Sequence, residues 1–344
     1  MKLLETARQL GRRSILPVMY RAGIPALMTR LYGDSLTIAC YHGVTISGSM
    51  PYSGRHLPAT TFRRHLRFYR RHFNVVSLAR MFELVERNEP VDKPTLAITF
   101  DDGYANNLEI ALPILEEFDC PATVFLSTIV FEAANHIIYA DVLDILRIHG
   151  PPSGIVVDGV TYRRGRGRDM VSETGASLYE RLVECMPNER DRIVDQLLER
   201  YDVRSIIDKE KIQYWRLLDS TGVVRLDNHP LVDVEAHGHG HYLLDKIPRG
   251  DAEADLIRCK TLFREKLDRD PEVLAFPAGS YTRQTIELAR KLGFRYLLAE
   301  RYKTPDDGDD PHLLERVSIS GSTNYYSNIL NYAFSLRRSN RIKQ

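Results

Sequence analysis

The sequence predicts an α/β protein with parallel strands and crossover helices, interrupted by a helix-rich insertion. Three observations carry that expectation. Apolar runs end repeatedly in polar tips, as buried parallel strands do; amphipathic helical stretches alternate with them; and residues 132–230 break the alternation with a charged, less regular stretch.

Residues 1–34 come first, as an N-terminal helical segment. Leu3, Leu4, Ala7 and Leu10 form one face of a short amphipathic helix with arginines nearby, which suits packing on the domain or resting on an anionic membrane surface. Glu5 and Arg8 stand where the apolar core of a secretion signal would run, and Arg12, Arg13 and Arg21 interrupt the later apolar residues. No signal or membrane span is expected, so the cytoplasm, or the cytoplasmic face of a membrane, is the expected location.

The α/β unit begins with "SLTIACYHGV" (35–44), a buried strand ending in a polar tip, followed by the amphipathic helix "TTFRRHLRFYRRHF" (60–73). "TLAITFDDGY" (95–104) is a strand ending in charge, "LEIALPILEEF" (108–118) a helix and "PATVFLSTIV" (121–130) a strand. The unit runs over 35–131 and resumes over 231–321 with "LVDVEAHGH", the helix "DAEADLIRCKTLFREKL" (251–267), "EVLAFPAG" (272–279) and the helix "RQTIELARKLG" (283–293). "RYLLAE" (295–300) and "LERVSISG" (314–321) are the closing strands, and 322–344 a C-terminal tail. Within the insertion, "RRGRGR" (163–168) reads as an exposed basic turn, and Trp215 as a core residue sooner than a sugar-stacking wall.

Composition narrows the function classes. A length of 344 residues and 43% hydrophobic content support a sizeable core. With 47 basic and 46 acidic side chains the formal net charge is +1, which argues against nucleic acid as a partner. Cys40, Cys120, Cys185 and Cys259 form no C-x-x-C pair, so neither a disulfide framework nor a zinc knuckle is suggested.

Side chains at the carboxyl ends of parallel strands converge on one face. His42, Asp101, Asp102, His237, His241 and the Pro277–Gly279 turn all occupy such ends by this reading. An isolated Asp-Asp-Gly reads as a turn; after a buried strand, and with histidines elsewhere, it reads as a pair in which one carboxylate binds a cation and the other works alone. His237 and His241 are four residues apart, a separation that lets two imidazoles reach one ion. Two histidines and one carboxylate leave an open position, as in hydrolytic sites. His239 is spare.

Together "TFDDGY", "HGHGH" followed by Leu244, "PATVFL" and "FPAGSY" resemble the polysaccharide deacetylases, carbohydrate esterase family 4, with the NodB homology domain. The resemblance implies a distorted (β/α) barrel, a divalent metal, most often zinc, held by Asp102, His237 and His241, and Asp101 as general base. It also implies that the backbone N–H of Ala278 helps hold the oxyanion. Ala275 stands where the family has an arginine that supports the base, and Ala278 where it has an aromatic residue. No histidine follows residue 313 in the family's usual acid position; "LTIACYHGV" instead is similar to the Y-H motif of the circularly permuted subgroup that includes poly-N-acetylglucosamine deacetylases, which implies His42 as general acid. Tyr281 and Arg316 are candidate substrate contacts. The expected reaction is removal of N-acetyl groups from a glycan or lipid-linked saccharide. A deformylase or other amide hydrolase, and a catalytically silent glycan-binding barrel, are the alternatives.

Overall fold

Period-two alternation, not amphipathic polarity, shapes the strands, because both of their faces are covered. A computed structural model describes residues 15–46, 54–133, 135–165, 169–209, 214–336 and 340–341. Its main strands are β1 (Ser35–Tyr41), β2 (Thr95–Phe100), β3 (Ala122–Leu126), β4 (Val232–Ala236), β5 (Val273–Ala275), β6 (Tyr296–Ala299), β7 (Leu313–Glu315) and β8 (Val317–Ser318). They pair in parallel in the order β7-β6-β5-β4-β3-β2-β1-β8. Since β7 and β8 are halves of one segment, pairing β6 first and β1 second, eight strands make a nearly closed barrel, in agreement with the barrel that the sequence implies.

Helices α1 (Ala59–His72), α2 (Leu112–Phe118), α3 (Tyr139–His149), α4 (Pro187–Arg200), α5 (Arg249–Leu267), α6 (Arg283–Lys291) and α7 (Tyr325–Ser335) surround it. The barrel interior is a cluster of alternate residues: Leu36 and Ile38 of β1, Ala97 of β2, Phe125 of β3, Ala275 of β5, Leu298 of β6 and Leu314 of β7. Helix Leu78–Glu86 closes the N-terminal end with Leu78, Met81 and Phe82, whose ring stacks on Tyr296 at 3.9 Å. Continuing the same alternation upward places Cys40 above Ile38, Thr99 and Asp101 above Ala97, and Arg316 above Leu314. The polar tips therefore crown a filled core.

Between β3 and β4, the described part of residues 132–230 holds α3, α4 and three shorter helices. The insertion is helix-rich as expected, and it also holds a small antiparallel sheet that the expectation did not include, Ile155–Val157, Val160–Arg164 and Met170–Ser172. Asp158 and Gly159 both have positive φ (46° and 79°), the pairing a two-residue hairpin turn requires. Of the basic turn 163–168, residues 166–168 lie outside the described residues; Arg163 pairs with Glu173. The segment 322–344, expected as a tail, is partly integrated. Helix α7 buries Tyr325, Ile329, Leu330 and Tyr332, and Asn340–Arg341 pairs antiparallel with the start of β1. Tyr20 packs edge-on against Tyr325 and Tyr326, both at 5.3 Å, tying residues 15–21 to α7. The amphipathic face at Leu3 to Leu10 lies outside the described residues, and no described helix is long and apolar enough to cross a membrane.

Candidate active site

Asp101, first beyond β2, stands at the barrel's upper interior and meets Arg316 from the β7/β8 seam. The guanidinium donates from Nη1 to Oδ1 at 2.6 Å and from Nη2 to Oδ2 at 2.7 Å, a bidentate pair with both partners buried. The Cys40 thiol adds a third donor, its Sγ 3.4 Å from Oδ2. Burial alone would raise the Asp101 pKa, but the charge and hydrogen bonds of Arg316, together with the neighbouring His237 and His42, outweigh it and hold the carboxyl at about 2. Arg316, a candidate substrate contact by sequence, pairs with the expected base. It supplies the charge that Ala275 leaves missing at its own position.

Asp102 turns the other way because its φ is +75°, followed by Gly103 at +78°. The turn needs glycine for its conformation, and a Cβ on Gly103 would also lie 2.6 Å from Leu126 Cδ1, so that methyl would have to shift. Asp102 Oδ1 comes within 3.0 Å of His241 Nε2 and 3.6 Å of His237 Nε2, yet no hydrogen-bond geometry joins that oxygen to a donor among the described residues. His237 Nδ1 bonds the Ala275 carbonyl at 2.8 Å, which fixes the tautomer and turns the Nε2 lone pair inward. Burial lowers its pKa to about 4, keeping the ring neutral at pH 7. Lone pairs of neutral imidazole facing a carboxylate repel, and a cation among them removes the conflict. The ligand atoms of Asp102, His237 and His241 all lie within 4.8 Å of one another, and this donor set fits a divalent ion.

The glycines of "HGHGH" have separate causes. Gly238 has φ +75°, and a Cβ there would sit 2.8 Å from Oδ2 of Asp255 on α5. That carboxylate accepts the N–H groups of His239 (2.9 Å) and Gly240 (2.7 Å). A Cβ on Gly240 would strike the Tyr242 ring at 2.2 Å. His239 points away from the ligands, with Nδ1 3.1 Å from Thr128 Oγ1 and Nε2 3.2 Å from Glu132.

His42 follows β1 and interacts electrostatically with both Asp101 and Asp102, so it belongs to the same cluster. Asn107 Nδ2 donates to its carbonyl at 2.7 Å and Asn106 Oδ1 accepts from Val44 N at 3.1 Å, while its own Nδ1 is buried with no partner among the described residues. Asn107 opens a π-helical turn, Asn107–Ala111, a distortion that recurs at functional sites. Ala278 lies in the turn after β5 with φ +52°, exposed, beside Pro277, which abuts Gly238. Tyr281 is not brought to the site. It is 2% exposed, stacked on Phe276 at 5.7 Å, with its hydroxyl donated to Asp307 at 2.5 Å, because its place in the turn directs the ring into the core. Trp215 is also buried. The motifs did not disclose Arg316 as the partner of Asp101, nor Asp255, Asn106 and Asn107.

A family model described as polysaccharide deacetylase matches residues 88–150 and 185–297, just over half of the chain. No curated protein matches in sequence. Among solved structures, IcaB from Ammonifex degensii is similar with 17% identity and a TM-score of 0.55, covering 88% of this chain and 97% of that one. The Streptococcus pyogenes deacetylase PplD, in complex with acetate, aligns at 13% identity and TM-score 0.53 over 87% and 97%. A de-N-acetylase from Aggregatibacter actinomycetemcomitans aligns at 14% and 0.54 over 87% and 100%. At these identities the three likenesses speak for the fold, whereas the family match covers both the Asp-Asp turn and the histidine loop: the chain belongs to the polysaccharide deacetylase family, and it is a hydrolase.

Proposed function

We propose that the chain removes N-acetyl groups from an N-acetylated glycan with a divalent metal, zinc first among candidates, held by Asp102, His237 and His241. The observation that carries this reading is the convergence of those three ligands beside a carboxylate kept ionised by Arg316. A bound ion supplies Lewis-acid polarisation of the amide carbonyl and activation of water. Asp101, ionised at any pH well above 2, takes the proton of the attacking water. His42 delivers a proton to the departing amine, and the Ala278 N–H, presented by its left-handed turn, helps hold the developing oxyanion. The products are acetate and a free amino sugar. Two of the similar structures are a deacetylase and a de-N-acetylase, which supports this choice over a deformylase.

The test is acetate release from chitooligosaccharides and N-acetylglucosamine conjugates by metal-stripped protein, with and without zinc, beside His42→Ala and Asp101→Asn. Zinc-dependent release lost in both variants is the expected result. Zinc binding without release from any substrate would point to another acyl group.

We also propose attachment to the cytoplasmic face of a membrane through the N-terminal segment. Ile15, Val18, Leu27 and Leu31 are exposed beside exposed Arg21 and Arg30, a mixture that suits an anionic bilayer surface. Sedimentation with phosphatidylglycerol vesicles, reduced by Leu27→Glu with Leu31→Glu, would support it; equal sedimentation of both proteins would overturn it.

A further inference from the structure

The metal loop is fastened one carbonyl at a time. His237 O accepts from Ser127 Oγ at 3.5 Å, Gly238 O from Thr128 N at 3.1 Å and His239 O from Ile129 N at 3.1 Å, all from residues just beyond β3. The last two carbonyls have a different keeper. Arg190, on α4 of the insertion, donates from Nη2 to Gly240 O at 2.6 Å and from Nη1 to His241 O at 3.2 Å. It is 6% exposed and held between the rings of Tyr242, 3.8 Å from its guanidinium carbon, and Tyr139 of α3, at 4.9 Å. Gly240 leaves the room that Tyr242 occupies. His241 has φ +53°, a conformation that costs a non-glycine residue energy and persists only where its surroundings impose it.

We infer that Arg190 is a positioning residue for the metal, and that through it the insertion governs how tightly the site holds the ion. This rests on the reading of Asp102, His237 and His241 as ligands. His237 is fixed from β3 and by the Ala275 carbonyl, so it does not depend on Arg190. His241 does. Removing the guanidinium strips both carbonyls that flank the strained ligand, and the loop's last residue relaxes away from the other two donors. Outer groups that orient metal ligands commonly account for about 10–100-fold in affinity.

The experiment is zinc titration of metal-stripped protein against a chromophoric chelator, for the wild type and for Arg190→Met, Arg190→Lys, Ile193→Ala and His241→Ala. Arg190→Met is expected to bind zinc about 10–100-fold more weakly, approaching but not passing His241→Ala. Arg190→Lys, which can serve one carbonyl at a time, should fall between Met and wild type. Ile193, fully buried on the same helix, tests general damage to the insertion, and Ile193→Ala should bind zinc as wild type does. Zinc should also slow amide hydrogen exchange along Pro187–Arg200 in the unmutated protein, because the coupling is reciprocal. Arg190→Met binding like wild type, Ile193→Ala weakening zinc as much as Arg190→Met, or no protection of α4 would each overturn the inference while leaving the ligand set standing. A wild type that binds no zinc would overturn the ligand set and the inference together.

Discussion

The two carboxylates Asp101 and Asp102 are adjacent in sequence and opposite in circumstance. Asp101 is complete as it stands: two guanidinium donors and a thiol surround it, and its charge is balanced within the protein. Asp102 is incomplete, with two imidazole nitrogens nearby and no hydrogen-bond geometry to either. Asp102 and His241 both carry positive φ, whereas Asp101 continues the strand and donates its N–H to Tyr41 O at 2.9 Å. On the proposed roles this is a division of labour: backbone strain sits where an ion would offset it, and the proposed base sits on regular structure. That division predicts a graded set of failures.

The largest should come from the incomplete half. His237→Ala removes an inward-facing donor, and both zinc binding by chelator competition and acetate release should be lost. Retained tight binding would show that the ion is held elsewhere. Next comes Asp101→Asn, which keeps the ligands and removes the base. Acetate release should fall by about 10²–10⁴-fold with zinc affinity retained, and equal loss of zinc would merge the two carboxylates into one function.

Arg316→Met attacks the pair itself. Asp101 has a folded pKa of about 2, below the ordinary carboxylate value near 4. The pair therefore stabilises the fold above about pH 4, and that contribution is lost as the pH falls through about 2. Removing one partner of a buried pair costs about 3–5 kcal/mol, readable in urea unfolding at pH 7. With Arg316 gone, burial dominates and raises the Asp101 pKa, so the acid limb of acetate release should move to higher pH by about 1–3 units. An unmoved limb would show that Arg316 serves architecture alone.

This ion pair also marks the edge of what is legible in the sequence. β2 and its Asp-Asp-Gly ending can be read because a buried strand and a turn are local events, and "HGHGH" can be read because ligand spacing is local. Arg316 lies 215 residues from Asp101, and the two meet only because β7 and β8 close the barrel against β1. No local pattern encodes that meeting, although period-two alternation from Leu314 places Arg316 inward once closure is known. Asp255 and Arg190 are hidden for the same reason: each looks like an ordinary helix charge until the loop folds back on it. The small antiparallel sheet is different, since "IVVDGVTY" carries an Asp-Gly turn between alternating apolar residues, a local hairpin signal that outweighs the charged surroundings. Tyr281 escapes a motif-based reading because a motif gives an order of residues along the chain and not the direction of a ring.

The smallest effect belongs to His239, and it sharpens the comparison most. Three alternating histidines could present any two to an ion, and spacing alone favours His237 with His241 only because four residues bring the chain round a tight loop. The fold supplies the reason: β4 ends with His237 facing inward, Gly238 reverses the chain, and the backbone N–H of His239 is held by Asp255 while its ring turns to Thr128 and Glu132. That ring is partly exposed, and a pair of this kind is worth about 0–1 kcal/mol. His239→Ala should therefore shift the unfolding free energy by no more than about 1 kcal/mol and leave zinc affinity and acetate release unchanged. A tenfold loss of zinc in His239→Ala would mean that the loop turns its middle histidine inward when loaded. The positive φ of His241 would then have no ligand to account for it.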